Sequence, residues 1–275
     1  LFGASPACDK SLLTGREVST CLEPFLENSL IGPYATSLRM SDIGYQNKSQ
    51  SQICISLNNP HAYARSLKQA VSTPYSDYTK LGLFKNNKRI QLNDHLLQIE
   101  NEYYSPIRPK QITEPGERPT EALCRRGVRY IEVRVLDLNP LTPLGITPTQ
   151  SAFMDVFLTY CALGTDKPLD KPSFLTAKNN FKQVVCQGRN PACELNLENQ
   201  TILFKDAAEI LMAELLKLAQ VMDTCVGATM SSEKKSEKIQ GEFTQAVMAE
   251  NIKIQDINQT PSAQILSYMQ DQNLS

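Results

Sequence analysis

Apolar residues recur at three- and four-residue spacing from about residue 149 onward and alternate over short runs before about residue 140. The chain therefore predicts strands with short helices first and long helices afterwards. Phe153, Val156, Phe157 and Tyr160 line one side of a helix over 149–163, which Gly164 stops. Phe174, Phe181, Val184 and Val185 do the same over 173–187, ahead of Gly188. The clearest case is 206–225, where Ile210, Leu211, Glu214, Leu215, Leu218 and Met222 alternate with polar positions, Asp206 suits the N-cap and Gly227 the stop. Two more helices are expected over 232–254 and 262–270.

The first part reads differently. Residues 80–85 and 88–92 flank Asn86-Asn87, a pair that tolerates positive φ and suits a two-residue hairpin turn. Residues 51–57 and 96–104 are further strand candidates. Short helices are expected over 61–71 behind Pro60 and over 119–126, closing at Gly127. The strongest strand is 130–137, short and rich in β-branched residues. Hairpin connections, with helices gathered towards one end, give an α+β fold with an antiparallel sheet.

Alternation sorts the side chains of that strand. Ile131, Val133 and Val135 fall on one face, read as core, while Glu132 and Arg134 fall on the other. A surface ion pair is one reading of the charged face. Lining a cavity is the other: Glu132 is then a hard oxygen ligand suited to Mg²⁺, and Arg134 a fork for phosphate or carboxylate. The segment 96–104 repeats the pattern, with Gln98, Glu100, Glu102 and Tyr104 on a polar face opposite Leu97 and Ile99. It leads into Ser105-Pro106-Ile107-Arg108-Pro109-Lys110, an extended path carrying two cations, open to reading as a solvated connector or a substrate-binding loop. A third cluster, 34–45, gathers Arg39, hydroxyls and Tyr45 beside a Gly turn.

Composition narrows the classes. Twenty-eight Lys and Arg balance 29 Asp and Glu for a net charge of -1, so no global basic field would hold nucleic acid or an anionic membrane, and any anion site must be local. The longest apolar run, 156–163, is far too short to span a bilayer. The eight cysteines show no zinc spacing and are read as reduced, cytosolic and mostly buried. His61 and His95 are isolated, and serine-hydrolase, P-loop and dinucleotide signatures are absent. The chain opens at Leu1 without a signal peptide and reads as the continuation of a longer protein.

Four strings, LFGASPA (1–7), ATSLRMSDIGY (35–45), QIENEYYSPIRPK (98–110) and YIEVRVLDLNP (130–140), together resemble the proteobacterial type of glutamate-cysteine ligase, in the glutamine synthetase superfamily. The resemblance implies the C-terminal portion of such an enzyme: 1–145 would be the sheet-rich part of the catalytic domain and 146–275 a helical part of the same domain. It also implies a curved antiparallel sheet forming an incomplete funnel, with helices packed outside. The implied reaction joins the γ-carboxylate of glutamate to cysteine through a γ-glutamyl phosphate, using ATP with Mg²⁺ or Mn²⁺, as the first step of glutathione synthesis in the cytoplasm. Full-length protein would be a monomer, and the fragment alone inactive because most acidic metal ligands precede Leu1. By resemblance Glu132 is a metal ligand, Arg134 a catalytic arginine at the phosphoryl-transfer site and Arg39 a catalytic arginine that grips a substrate carboxylate. Tyr45 and Tyr104 belong to the cysteine pocket. Arg108 and Lys110 are assigned to the nucleotide on charge alone. A ligase with another amine acceptor and a non-catalytic scaffold are the competing readings.

Overall fold

The computed structural model describes residues 3–14, 21–44, 53–164, 167–229 and 241–272. In chain order these carry β1 (Ala7–Asp9), β2 (Glu23–Pro24), β3 (Ser29–Ile31), α1 (Pro60–Ala70), α2 (Ser76–Leu81), β4 (Phe84–Lys85), β5 (Lys88–Arg89), β6 (Ile107–Lys110) and α3 (Pro119–Arg126). There follow β7 (Tyr130–Val133), α4 (Pro148–Leu163), α5 (Lys171–Gln187), β8 (Glu194–Leu197), β9 (Gln200–Leu203), α6 (Phe204–Thr229), α7 (Glu242–Gln255) and α8 (Pro261–Gln272). The fold is α+β, as expected. Among the described residues the named strands pair antiparallel throughout, in one three-stranded ladder, β1-β3-β2, and the pairs β4-β5, β6-β7 and β8-β9, while a single parallel bridge joins Ser5 and Ser37. The chain divides into two compact units, one formed by Leu1–Ile43, Asp137–Lys167 and Thr176–Ser275, the other by Gly44–Leu136 and Pro168–Leu175.

In the first unit α4, α6 and α7 pack through Ala152, Phe153, Val156, Met212, Leu215, Ala219, Phe243, Ala246, Val247 and Ile254. The three alanines bring the helix backbones close. Pro148 opens α4 behind a capping box between Thr147 and Gln150, which satisfies backbone donors that the first turn leaves unpaired. The N-terminus of α7 has no cap of its own. Asp223 of α6 supplies it, accepting the Phe243 and Thr244 N–H groups at 3.0 and 2.9 Å. The last turn of α5 holds the strap that follows β3: Thr36 donates its N–H to the Val185 carbonyl at 2.9 Å and its hydroxyl to the Val184 carbonyl at 3.0 Å. Buried Arg189 donates to the carbonyls of Ala35 and Pro33. Gly188 permits this approach, since a Cβ there would meet the Val184 carbonyl and come within 2.9 Å of the Thr36 methyl.

The second unit packs Ile55, Tyr63, Leu67, Ala70, Leu97, Tyr103 and Leu123 around α1 and α3. Asn59 caps α1 through Ala62 N–H at 2.8 Å, with Pro60 in its first turn. Glu100 takes the capping part at α3, accepting the Thr120 N–H at 3.2 Å and its hydroxyl at 2.8 Å. Ahead of α3, the Glu117 carboxylate is gripped by both terminal nitrogens of Arg126 at 3.0 and 2.5 Å.

That grip, helped by the Glu114 backbone, holds the Glu117 carboxyl at about 2, against 4.5 ordinarily. A lowered carboxyl pKa stabilises the fold fully above the unfolded value, and the contribution is lost as pH falls through the folded one. Glu117→Gln is therefore expected to denature at lower urea than the parent above pH 4.5, with the gap closing as pH falls towards 2. A gap that stays constant across that window would refute the linkage.

Several expectations are corrected. Residues 96–104 form no strand, nor do 53–57, the first two residues of the strand expected over 51–57 lying outside the described residues. Ile55 is fully buried, but the backbone near it bonds locally, with the Ser56 N–H donating to the Ser66 hydroxyl of α1. In 96–104 the Glu102 carboxylate captures the Gln98 N–H, and a 3-10 turn over Glu100–Glu102 replaces the extended path. The proposed shared face fails with it: Leu97 is fully buried and Ile99 is 50% exposed. The hairpin turns where expected, with Asn86 and Asn87 at φ of 50° and 59°, but Lys80 and Leu81 belong to α2. The strand expected over 130–137 ends at Val133, and Ile131, expected in the core, is 43% exposed. Helix α6 begins two residues before Asp206, which lies in its first turn, and runs through Gly227, expected to stop it, to Thr229. The first half of the helix expected over 232–254 lies outside the described residues, and the described part is α7. Of the eight free cysteines only Cys186 and Cys193 are buried; Cys54, Cys161 and Cys225 are exposed.

Candidate functional site

The β6-β7 ladder gathers most of the expected site. Its register sets Arg108 opposite Glu132 and Lys110 opposite Tyr130. Because side chains two apart share a face and opposed residues share it too, Arg108, Lys110, Glu132 and Arg134 are brought onto one side. Ile107, Pro109, Ile131 and Val133 take the other. Pro109, which has no N–H to donate, is tolerated because a two-stranded ladder leaves one side of β6 without a strand partner. Of the stretch 105–110, open between connector and binding loop, the last four residues are strand.

Glu132 is the centre of the charged face. Its Oε2 lies 3.2 Å from the Lys110 ammonium and its Oε1 3.9 Å from Arg134 Nε. Burial pushes its carboxyl up, but Lys110, Arg134 and Arg108 outweigh that and hold it below the ordinary value. Arg134 is oriented twice over, its backbone N–H bonded to the Pro106 carbonyl at 2.8 Å and its guanidinium lying 4.9 Å from the Tyr104 ring centroid.

Arg108 is the most enclosed of the cations, 8% exposed. One terminal nitrogen donates to the Asn101 carbonyl at 3.3 Å, while its buried Nε has no hydrogen-bond partner among the described residues. Burial and then the neighbouring Arg134 lower its pKa, and a guanidinium still stays charged at neutral pH. Beside it stand two buried phenols. Burial pushes Tyr103 up to about 12 and raises Tyr63, so both stay neutral and neither cancels the positive charge. Three cations around a single carboxylate, one of them buried with a donor unpaired, make a local site for a polyanion.

Arg39 belongs to the other unit, in a 3-10 turn over Leu38–Met40 that follows the strap held by α5. Its Nε donates to Asp137 Oδ1 at 2.5 Å, and Asp137 Oδ2 accepts the Ala4 N–H at 2.8 Å. The Asp137 side chain is 3% exposed, so the guanidinium is pinned by a buried carboxylate. Tyr45 lies outside the described residues. Sequence reasoning missed Asp137, although it is the last residue of the strongest expected strand, and it missed Arg189, which no local signal marks.

A resident divalent ion can be tested on the donor set. Among the described residues no group of three His, Cys, Asp or Glu could hold a metal, and Glu132 contributes one carboxylate whose oxygens already face cations. The set described is at most one ligand of a larger site, and no chemical step is derived through it. Among the described residues no helix is long and apolar enough to cross a membrane.

An α+β fold carrying a positively charged ladder face defines a protein equipped to hold phosphoryl or carboxylate groups. The family of glutamate-cysteine ligases matches residues 1–184, and this chain belongs to it. A glutamate-cysteine ligase of Pseudomonas putida is 44% identical over 275 residues, which cover 100% of this chain and 50% of that protein. One from Pseudomonas fluorescens is 43% identical over 98% of this chain and 48% of its own length. The crystal structure of glutamate-cysteine ligase from Francisella tularensis in complex with AMP superposes with a TM-score of 0.85 at 41% identity, covering 98% of this chain and 51% of that one. A bifunctional glutathione synthetase from Pasteurella multocida shares the fold at 20% identity and a TM-score of 0.56, over 90% of this chain and 25% of that one. The chain spans about half the length of the curated relatives it matches.

Proposed function

We propose that this chain is the C-terminal portion of an enzyme that joins the γ-carboxylate of L-glutamate to the amine of L-cysteine at the expense of ATP. The observation that carries the reading is the ladder face of Arg108, Lys110, Glu132 and Arg134 in a member of this family. A glutamate carboxylate oxygen attacks the terminal phosphorus of ATP, and ADP leaves. The cysteine amine then attacks the acyl carbon, its proton is lost and phosphate departs. Both steps build negative charge on transferring oxygens, and fixed cations are the largest source of stabilisation for such charge.

In this reading Arg134 faces the transferring phosphoryl group, held in orientation by the Tyr104 ring. Arg108 and Lys110 hold the nucleotide phosphates, and buried Arg108 supplies a donor in a weakly screened setting. Arg39, pinned by Asp137, grips a substrate carboxylate. Tyr104 is assigned to the cysteine side chain, where an aromatic face suits sulfur, and Tyr45 shares that assignment by resemblance alone. Mg²⁺ or Mn²⁺, when bound, would neutralise phosphate charge, with Glu132 as the ligand this chain supplies. The sheet-rich residues 1–145 and the helical residues 146–275 are read as parts of one catalytic domain. The full-length protein is read as a cytoplasmic monomer, and the 275-residue chain alone as inactive.

The test is Glu132→Gln in the full-length protein. Glutamate-dependent ADP release is expected to be abolished, with the circular dichroism spectrum unchanged. Unimpaired turnover would refute the role of Glu132, and absence of cysteine-dependent ADP release from the parent protein would refute the ligase reading itself.

A further inference from the structure

The first unit holds a thiol pair that the ligase reading does not use. Cys21, which precedes β2, and Cys186, in the last turn of α5, place their sulfurs 3.2 Å apart, both as free thiols. The two residues are 165 positions apart in the chain, so folding alone creates the pair. We propose that Cys21 and Cys186 are a modification site: a two-electron oxidant, of which hydrogen peroxide is the probe, converts them to a reversible intrachain disulfide.

A disulfide bond needs the sulfurs at about 2.05 Å, so closure takes a shift of only about 1 Å, within reach of side-chain rotation. The two sites divide the work by exposure. Cys21 is partly exposed, packed with Cys8 against the cluster of Leu13, Leu22, Leu30, Ala35, Leu38 and Ile43, whereas Cys186 is 7% exposed. Oxidant therefore meets Cys21 first. Hydrogen bonding with Cys21, followed by burial, pushes the Cys186 thiol up, which also leaves the first reaction to Cys21.

The steps balance. Cys21 sulfur attacks one peroxide oxygen, the O–O bond breaks, and water leaves with the Cys21 proton, giving a sulfenic acid. Cys186 sulfur then attacks Cys21 sulfur, the S–O bond breaks, and a second water leaves with the Cys186 proton. The two sulfurs lose two electrons in all, and one peroxide becomes two waters. A dithiol reductant reverses the bond by exchange. The position gives it a mechanical consequence: Val184 and Val185, immediately before Cys186, carry the carbonyls that hold Thr36, three residues before Arg39. A closed disulfide ties the segment before β2 to that same turn.

The experiment is a peptide map of the full-length protein after one equivalent of hydrogen peroxide, alkylation and digestion without reductant. The expected result is a linked peptide pair containing Cys21 and Cys186, two hydrogens lighter than its parts, at more than half occupancy and removed by dithiothreitol. Cys21→Ser and Cys186→Ser should each abolish it. If one variant fails to fold, the other and the unmodified protein carry the same test. The proposal is overturned if Cys21 and Cys186 remain alkylated while exposed Cys54, Cys161 and Cys225 are oxidised, or if either pairs with a different cysteine. The map reads no ligase activity, so its outcome is independent of the proposed function.

Discussion

Arg134→Ala in the full-length protein is expected to lower kcat for cysteine-dependent ADP release by about 10²- to 10³-fold, the loss typical when one preorganised donor to a developing oxyanion is removed. Three features make Arg134 the position where that loss concentrates. Its backbone is fixed by the Pro106 carbonyl, its guanidinium lies 4.9 Å from the Tyr104 ring centroid, and Glu132 stands 3.9 Å from its Nε. The group is therefore held in place before any substrate arrives. Arg134→Lys retains the charge but loses the planar fork, and should recover only part of the rate. Melting curves identify a variant that has merely unfolded. A folded Arg134→Ala enzyme within threefold of the parent would remove Arg134 from the reaction.

Leu215→Ala is expected to destabilise the protein by about 2 to 5 kcal/mol, the range for truncating a fully buried leucine. Leu215 is 0% exposed on α6, among Ala152, Phe153 and Val156 of α4 and Phe243, Ala246 and Val247 of α7. A cavity there is bounded by side chains of α4, α6 and α7, so no single neighbour can collapse into it. Ile210 on the same helix is 63% exposed, and Ile210→Ala should change stability by less than about 0.5 kcal/mol. Urea denaturation of the pair reads the difference directly. Equal midpoints for both variants would show that the three-helix cluster does not carry the stability assigned to it.

The helices were the most legible part of the chain. The helix expected over 206–225 is observed as α6, although Ile210, placed among its apolar positions, is 63% exposed while Leu215 is fully buried. Pro119 and Gly127 bracketed α3 to the residue, because one residue pre-sets a helical φ and the other sits at φ 74°. Short apolar alternation was less reliable. Residues 96–104 alternate like a strand, yet a strand exists only if a neighbour takes its backbone bonds, and there Glu102 and Ala70 took them instead. The β8-β9 hairpin went unread although Glu198-Asn199 turns it in the same left-handed conformation as Asn86-Asn87. Glutamate at the first turn position carries little of the signal that asparagine does.

The candidate site divides along the same line. The candidate residues were visible in the chain: Glu132 and Arg134 by their alternation with β-branched residues, Arg108 and Lys110 as cations in a proline-fixed stretch, and Arg39 through the family resemblance. Their assembly was not. Arg108 faces Glu132 only because of the register of β6 on β7, and a slip of one residue would send the cations to the opposite face. Asp137 holding Arg39 across 98 positions, and Cys21 meeting Cys186 across 165, follow from no pattern along the chain. Periodicity and turn chemistry act over a few residues, so the sequence by itself determined the long helices, the ends that Pro119 and Gly127 mark at α3, and the inventory of charged groups. Long-range pairing is decided by which distant surfaces bury one another, and only the tertiary structure could decide it.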